Sequence, residues 1–125
     1  MTSSGVTRAT QVVLVINAAM AAFAGFAMLL GFAPFSAEQP VMARRAAAGE
    51  FAGAIILAII ATRVRRDPSL IVVAIAFVAC QLLSSGYELF KYQTWGALAP
   101  FVTEAAALAF YAYFNASVRR RGGSP

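Results

Sequence analysis

Four long runs of apolar residues, separated by short charged segments, constrain this chain more than any other feature of its sequence. An α-helix rises about 1.5 Å per residue, so about 20 residues cross the roughly 30 Å apolar core of a bilayer. Each run has about 17 to 24 residues, which is the length range of membrane-spanning helices. We therefore predict four transmembrane helices, at residues 12–33, 46–62, 69–92 and 97–118.

The composition excludes an ordinary soluble domain. Hydrophobic residues make up 61% of the chain, charged residues 12%, and the mean hydropathy is +0.74. Soluble domains usually carry about a quarter charged residues. The net charge of +5 comes from basic residues in the short segments between the apolar runs, a placement that favours contact with lipid headgroups. We therefore predict the bilayer as a partner and no binding of nucleic acid.

The supply of metal ligands is poor. The chain has one cysteine, Cys80, inside the third apolar run, and no histidine. Structural zinc sites and His-ligated haem need several such side chains. We predict no metal site and no cofactor, so any chemistry has to come from carboxylates, tyrosines, amides or arginines.

The connections between the runs are short, which predicts an all-α, up-down-up-down four-helix bundle. With four spans, the N-terminus, the second connection and the C-terminus share one side. Basic residues on that side are Arg8, Arg63, Arg65, Arg66, Arg119, Arg120 and Arg121; those on the other side are Arg44, Arg45 and Lys91. An excess of basic residues marks the cytoplasmic side, which predicts both ends inside a bacterial inner membrane. Tyr87, Tyr92 and Trp95 then lie at the outer interface.

Two terminal segments flank this transmembrane domain. Residues 1–11 are predicted to form a cytoplasmic N-terminal segment, and residues 119–125 a basic, disordered cytoplasmic tail. The first apolar run has about 22 residues, longer than the 7–15-residue apolar region of a signal peptide. That length favours a retained membrane helix over a cleaved leader.

Three glutamates are the most informative candidates for chemistry. Glu50, Glu88 and Glu104 lie within or near the ends of three different apolar runs. A charge in hydrocarbon costs several kcal/mol, so an intramembrane carboxylate is a functional-site candidate. Counted from the helix ends, Glu50 and Glu104 lie roughly 10 Å below the outer interface, and Glu88 is shallower. We predict that they form a catalytic group in the outer third of the bundle.

Further polar residues follow the same helix faces. Gln81, Ser85, Glu88 and Tyr92 are spaced to share one face of the third helix; Glu104, Leu108, Tyr111 and Asn115 are spaced to share one face of the fourth. Tyr87 lies beside the first set, and Asn17 of the first helix lies at the predicted level of Asn115. Predicted substrate-binding residues are Gln81, Ser85, Tyr87, Tyr92, Tyr111, Asn115 and Asn17.

Three interpretations of these residues stay open. Carboxyls held together in low dielectric cannot all ionise, so a protonated glutamate is a general acid and an ionised one a base or a stabiliser of a cation. That equipment suits isomerisation, epoxide opening or cyclisation of a lipophilic, isoprenoid-like molecule. The polar residues equally suit a proton or solute path. Alternatively, the glutamates pair with Arg44, Arg45 or Lys91 and only hold the helices together.

Small residues on the second helix bear on helix association. Gly49 and Gly53 form a GxxxG match, and such spacing lets helix backbones approach closely in lipid. Packing within the chain is the favoured explanation, and a homodimer face is the alternative.

The second helix also carries a family resemblance. The segment Arg44-Arg45-Ala46-Ala47-Ala48-Gly49-Glu50-Phe51-Ala52-Gly53, followed by the arginines at 63–66, resembles the acidic, Gly-rich helix and Arg-bearing turn of the DoxX-like group of small four-helix bacterial membrane proteins. The resemblance implies a four-helix membrane fold and a role as a non-enzymatic accessory subunit of a membrane redox complex. Glutamates on the third and fourth helices depart from the family's pattern.

Overall fold

The computed structural model describes residues 3–32, 39–93 and 95–122. Long helices are α1 (Ser3–Leu29), α2 (Pro40–Arg63), α3 (Ile71–Tyr92) and α4 (Leu98–Gly122), and short 3-10 helices precede α3 at Pro68–Leu70 and α4 at Trp95–Ala97. None of the described residues forms a strand. By length and composition the four long helices can each cross a membrane, which confirms the prediction of an all-helical chain with four such segments.

Two helices begin before the predicted apolar runs, whereas α1 ends at Leu29, four residues before the predicted end at residue 33, because Gly31 adopts a left-handed conformation with φ 84° that stops the helix. Helix α1 begins at Ser3, nine residues before the predicted span. Polar residues can continue a helix when their side chains form hydrogen bonds to nearby backbone groups. The hydroxyl of Thr10, for example, donates to the carbonyl of Val6 at 2.8 Å. Helix α2 likewise begins at Pro40, ahead of the predicted start at residue 46.

The basic C-terminal segment differs from the disordered tail that the sequence suggested. Helix α4 continues through Gly122, so Arg119, Arg120 and Arg121 form its last turn. Arginine is a good helix former, and a cation at a helix C-terminus interacts favourably with the helix dipole. The Nε–H of Arg121 also donates to the carbonyl of Ser117 at 3.3 Å. Residues 123–125 of the predicted tail lie outside the described residues.

The connection from α2 to α3 is a tight turn. The backbone N–H of Asp67 donates to the carbonyl of Arg63 at 2.9 Å, and Pro68 occupies the first turn of the 3-10 helix. An aspartate directly before a proline is typical of a helix start, with the aspartate as the capping residue, so Asp67 is the expected cap. Its side chain makes no capping bond to the backbone, and instead its Oδ1 accepts a hydrogen bond from the hydroxyl of Ser69.

The chain divides into two compact units, and the first of these comprises Gln11–Thr62. Here the start of α1 lies beside the end of α2, since the side-chain amide of Gln11 donates to the carbonyl of Ala61 at 2.9 Å. Nearer the end of α1, the rings of Phe26 and Phe51 pack edge to face with centroids 5.0 Å apart. Within this unit α1 and α2 therefore pack as an antiparallel pair.

The second unit comprises Met1–Thr10 and Arg63–Pro125, and its centre is the packing of α3 on α4. The rings of Phe90 and Phe101 stack edge to face with centroids 5.9 Å apart. A Cβ atom on Gly86 would lie 3.2 Å from the Phe101 ring, so the glycine admits that ring close to the α3 backbone. The end of α3 is therefore fixed against the start of α4. Helix α3 ends at Tyr92, and the next residue, Gln93, adopts a left-handed conformation with φ 52°.

Each helix buries one stripe of residues spaced three or four apart. The buried stripes include Val6, Thr10, Leu14, Ala18 and Ala21 of α1; Ala43, Ala47, Gly53, Leu57, Ile60 and Ala61 of α2; Ile71, Ala74, Val78 and Leu89 of α3; and Ala107, Tyr111 and Phe114 of α4. Many large apolar side chains on the opposite faces are exposed. In a bilayer such faces contact lipid chains, so burial by protein identifies the inward side of each helix.

Candidate functional site

Glu104 lies on the inward stripe of α4. It follows Phe101 by three residues and precedes Ala107 by three, and this spacing keeps all three on one face. The residue is half-buried, and its Oε2 atom is shielded from the surface. A carboxyl group thus occupies a covered position in a helix that is otherwise mostly apolar on that side.

The residues predicted to share the face of Glu104 do share it. Tyr111, two turns further along α4, is completely buried at 0% exposure. Leu108 and Asn115 are half-buried, so no member of the set lies on the outward face. Glu104 and Tyr111 each make at least one polar or ring interaction within the chain. Helix α4 therefore carries an acidic group, a phenol and an amide along one covered stripe.

Helix α3 divides its predicted polar set. Gln81 and Ser85 are half-buried, whereas Glu88 and Tyr92 are exposed. At about 100° per residue the four positions fall within about 60° of arc, as the spacing predicts. The buried residue of the last turn, however, is Leu89, and its neighbour Glu88 points about 100° away from it. Glu88 therefore lies at the outer rim of this unit and not in its covered interior.

Glu50 belongs to the other unit, Gln11–Thr62, which is described by itself. It is half-buried on the inward stripe of α2 and makes at least one polar or ring interaction. Small residues surround it on that stripe: Ala46, Ala47, Gly53 and Ala54. The convergence of Glu50 with Glu88 and Glu104 stays a prediction from the sequence.

The ring of Phe51, the residue after Glu50, packs against α1. It lies so close to Gly25 that a Cβ atom there would come within 2.9 Å of it. Asn17, one of the predicted binding residues, is half-buried on α1 in the same unit and also makes a polar or ring interaction. Glu50 and Asn17, the two candidate site residues of this unit, are thus both half-buried.

The GxxxG match on α2 is split between two faces. Gly53 is buried, whereas Gly49 is exposed, and a Cβ atom built on Gly49 would meet nothing within 4 Å. Residues four apart differ by about 40° in direction, which is enough to separate them at the edge of a stripe. Packing within the chain therefore uses Gly53 and leaves Gly49 on the outward face.

The end of α3 carries a cation–aromatic cluster formed by Tyr87, Lys91 and Tyr92. The Nζ atom of Lys91 lies 5.1 Å from the ring centroid of Tyr87 and 5.9 Å from that of Tyr92. The two rings pack edge to face with centroids 5.9 Å apart. All three side chains are exposed, so Tyr87 and Tyr92 are placed apart from the buried Tyr111.

Sequence reasoning treated Lys91 only as a partner for the glutamates and missed its contact with the tyrosines. The signal was available, because Tyr87 and Lys91 are four residues apart and such pairs meet on a helix surface. The cluster has the composition of a membrane-interface belt, with amphipathic rings and a basic residue at a helix end. Trp95, in the 3-10 helix that follows α3, is also exposed, at 74%.

Within residues 3–32, 39–93 and 95–122, no group of three His, Cys, Asp or Glu side chains is arranged to hold a metal ion. Comparison of the chain with protein-family models, with curated proteins and with solved structures finds no match in any of the three.

Proposed function

We propose that this chain is a multi-pass membrane protein that binds a lipophilic small molecule at the carboxyl group of Glu104. The observation that carries the proposal is the shielded Oε2 atom of this residue on the inward stripe of a helix long and apolar enough to span a membrane. A carboxyl at such a position costs free energy, which a ligand that uses it can offset. The polar stripe continues through Tyr111 and Asn115.

The proposed chemistry is acid–base catalysis on an isoprenoid-like substrate. In a low dielectric Glu104 donates a proton to the substrate, and its carboxylate then accepts the proton that the product releases. The amide of Gln81 and the hydroxyl of Ser85, both half-buried on α3, supply hydrogen bonds to a polar substrate group. The exposed Glu88 lies outside this covered group and is assigned no contact with the substrate.

The test is a thermal-shift screen of detergent-solubilised protein with isoprenoids and quinones. Wild type is compared with Glu104→Gln, and Glu88→Gln is the matched control because it makes the same chemical change at an exposed position. We expect a compound that stabilises wild type and the control but not Glu104→Gln. If no compound raises the melting temperature of wild type, and if Glu104→Gln has a lower melting temperature than wild type and Glu88→Gln does not, the carboxyl is structural. Co-purification with a larger membrane partner then tests the alternative of an accessory subunit.

A proton path is the second candidate, and the covered stripe of Glu104, Tyr111 and Asn115 on α4 favours it. Proton transfer along such a stripe needs the phenol hydroxyl as donor and acceptor. Proton flux into proteoliposomes that falls in Tyr111→Phe, at unchanged folding, supports this function. Absence of any flux in wild type excludes it.

We also propose that the chain forms an up-down-up-down bundle in a bacterial inner membrane, with both ends on the cytoplasmic side. The unequal distribution of arginines between the two sides supports this orientation. The test uses single cysteines at Gly96 and Gly122 in a Cys80→Ser background. Both glycines are exposed, and neither has an atom within 4 Å of an added Cβ. An impermeant maleimide added to intact cells is expected to label Gly96→Cys and to label Gly122→Cys only after permeabilisation. The reverse pattern inverts the orientation.

A further inference from the structure

Seven of the nine arginines of this chain belong to the unit that contains α3 and α4. Phe101, near the start of α4, contacts Gly86 and Phe90 near the end of α3. The opposite end of α4 therefore lies beside the start of α3, and α4 does contact the 3-10 helix Pro68–Leu70 there. The turn 63–66 and the last turn of α4 consequently occupy the same end.

We call this group the arginine end. It comprises Arg63, Arg65, Arg66, Arg119, Arg120 and Arg121, joined in the same unit by Arg8 of α1. All seven side chains are exposed. The acidic residue of this end, Asp67, accepts a hydrogen bond from Ser69. The rest of the chain carries three basic and four acidic residues, so the net positive charge of the protein comes from the arginine end.

We propose that the arginine end is a binding surface for the phosphate headgroups of anionic phospholipids. Guanidinium groups bind phosphate through paired N–H donors, and basic clusters next to membrane helices attract anionic lipid by about 1 kcal/mol per residue. Lipid is the expected ligand, because the helices beside the arginines are long and apolar enough to span a bilayer. The inference needs the membrane placement alone and does not depend on the chemistry proposed for Glu104.

The chain offers a matched pair of variants. Arg65 and Arg66 are adjacent, exposed arginines at the arginine end, and Arg44 and Arg45 are adjacent, exposed arginines in the first turns of α2. Replacement of either pair by glutamine removes the same charge. About 20 residues of helix, or roughly 30 Å, separate Arg44 from the end of α2 at Arg63.

The experiment is native mass spectrometry of detergent-solubilised protein mixed with equimolar phosphatidylglycerol and phosphatidylcholine. Wild type is expected to retain phosphatidylglycerol preferentially. The Arg65→Gln/Arg66→Gln variant is expected to lose about thirty-fold in that preference, and Arg44→Gln/Arg45→Gln less than about threefold. Circular dichroism checks folding. If the first variant is unfolded, Arg119→Gln/Arg120→Gln replaces it with the same expectation.

Three results overturn the proposal. Equal losses in both variants mean that lipid responds to net charge and not to the arginine end, and no loss in either means that the arginines do not hold lipid. A competition step distinguishes the source of the phosphate. If millimolar inorganic phosphate displaces the retained lipid from wild type, the surface is a free-anion site, and the commitment to lipid is wrong.

Discussion

Glu88 and Glu104 are two carboxylates of one compact unit on neighbouring helices, and the structure places them differently. Glu104 is half-buried with a shielded carboxyl oxygen, whereas Glu88 is exposed near the end of α3. Both lie in or near apolar runs, so hydropathy alone gives them similar roles. The difference teaches that the direction of a side chain, inward to protein or outward to lipid and water, decides what an intramembrane carboxylate can do.

The largest effect is expected from matched truncations of aromatic rings on the two sides. Tyr111 is completely buried, whereas Phe90 is 73% exposed. Tyr111→Ala is expected to cost about 3–5 kcal/mol of unfolding free energy, because it leaves a cavity in packed protein. Phe90→Ala removes a mostly exposed ring and its edge-to-face contact with Phe101, and is expected to cost about 0.5–1.5 kcal/mol. Reversible unfolding in mixed detergent micelles measures both, and equal costs would contradict the assignment of inward and outward faces.

A charge placed at the two glutamate positions sharpens the comparison directly. Glu104→Lys puts an ammonium group on the covered stripe of α4 and is expected to lose about 2–3 kcal/mol of stability. Glu88→Lys puts the same group at an exposed rim and is expected to change stability by less than about 0.5 kcal/mol. The same unfolding assay reads both variants. A Glu88→Lys loss as large as that of Glu104→Lys would show that Glu88 is also covered.

The two glycine environments predict changes of opposite sign. A methyl group at Gly25 meets the ring of Phe51 at 2.9 Å, so Gly25→Ala is expected to destabilise by about 1–3 kcal/mol. A methyl group at Gly49 meets nothing, so Gly49→Ala is expected to stabilise by up to about 1 kcal/mol through helix propensity. Melting temperatures in detergent report both. Destabilisation by Gly49→Ala would indicate that a second copy or another helix packs on that face.

The smallest effect is expected at the cation–aromatic cluster. Lys91→Gln removes the cation from the faces of Tyr87 and Tyr92 and is expected to cost about 0.5–1 kcal/mol. Lys91→Arg keeps the cation and is expected to restore most of that stability. If Lys91→Arg is as destabilised as Lys91→Gln, the positive charge does not contribute through the rings.

The four helices that are long and apolar enough to span a membrane were predictable, because apolar length is a property of the sequence itself. Helix ends were not, since the polar residues between Ser3 and Gln11 continue α1 by bonding locally, as Thr10 does to Val6. Arg119–Arg121 join α4 for a similar reason, because a basic last turn favours the helix dipole.

The helix face on which each candidate residue lies was predictable from its spacing, but the burial of its side chain was not. Spacing placed Glu104, Tyr111 and Asn115 on one face, and their burial agrees. The same spacing rule grouped Glu88 with Gln81, but Gln81 is half-buried and Glu88 is exposed. Spacing alone does not show which part of a helix face a neighbouring helix covers. The contact of Lys91 with Tyr87 was accessible from their four-residue spacing.

The most direct test of the contrast between the two carboxylates is cysteine accessibility at their positions. Glu88→Cys and Glu104→Cys are each made in a Cys80→Ser background and labelled with a water-soluble maleimide in detergent. The placement of the two residues predicts at least tenfold faster labelling of Glu88→Cys, with Glu104→Cys reaching the same rate only after denaturation. Equal rates in the folded protein would contradict the inward position of Glu104 and, with it, the carboxyl site on which the proposed function depends.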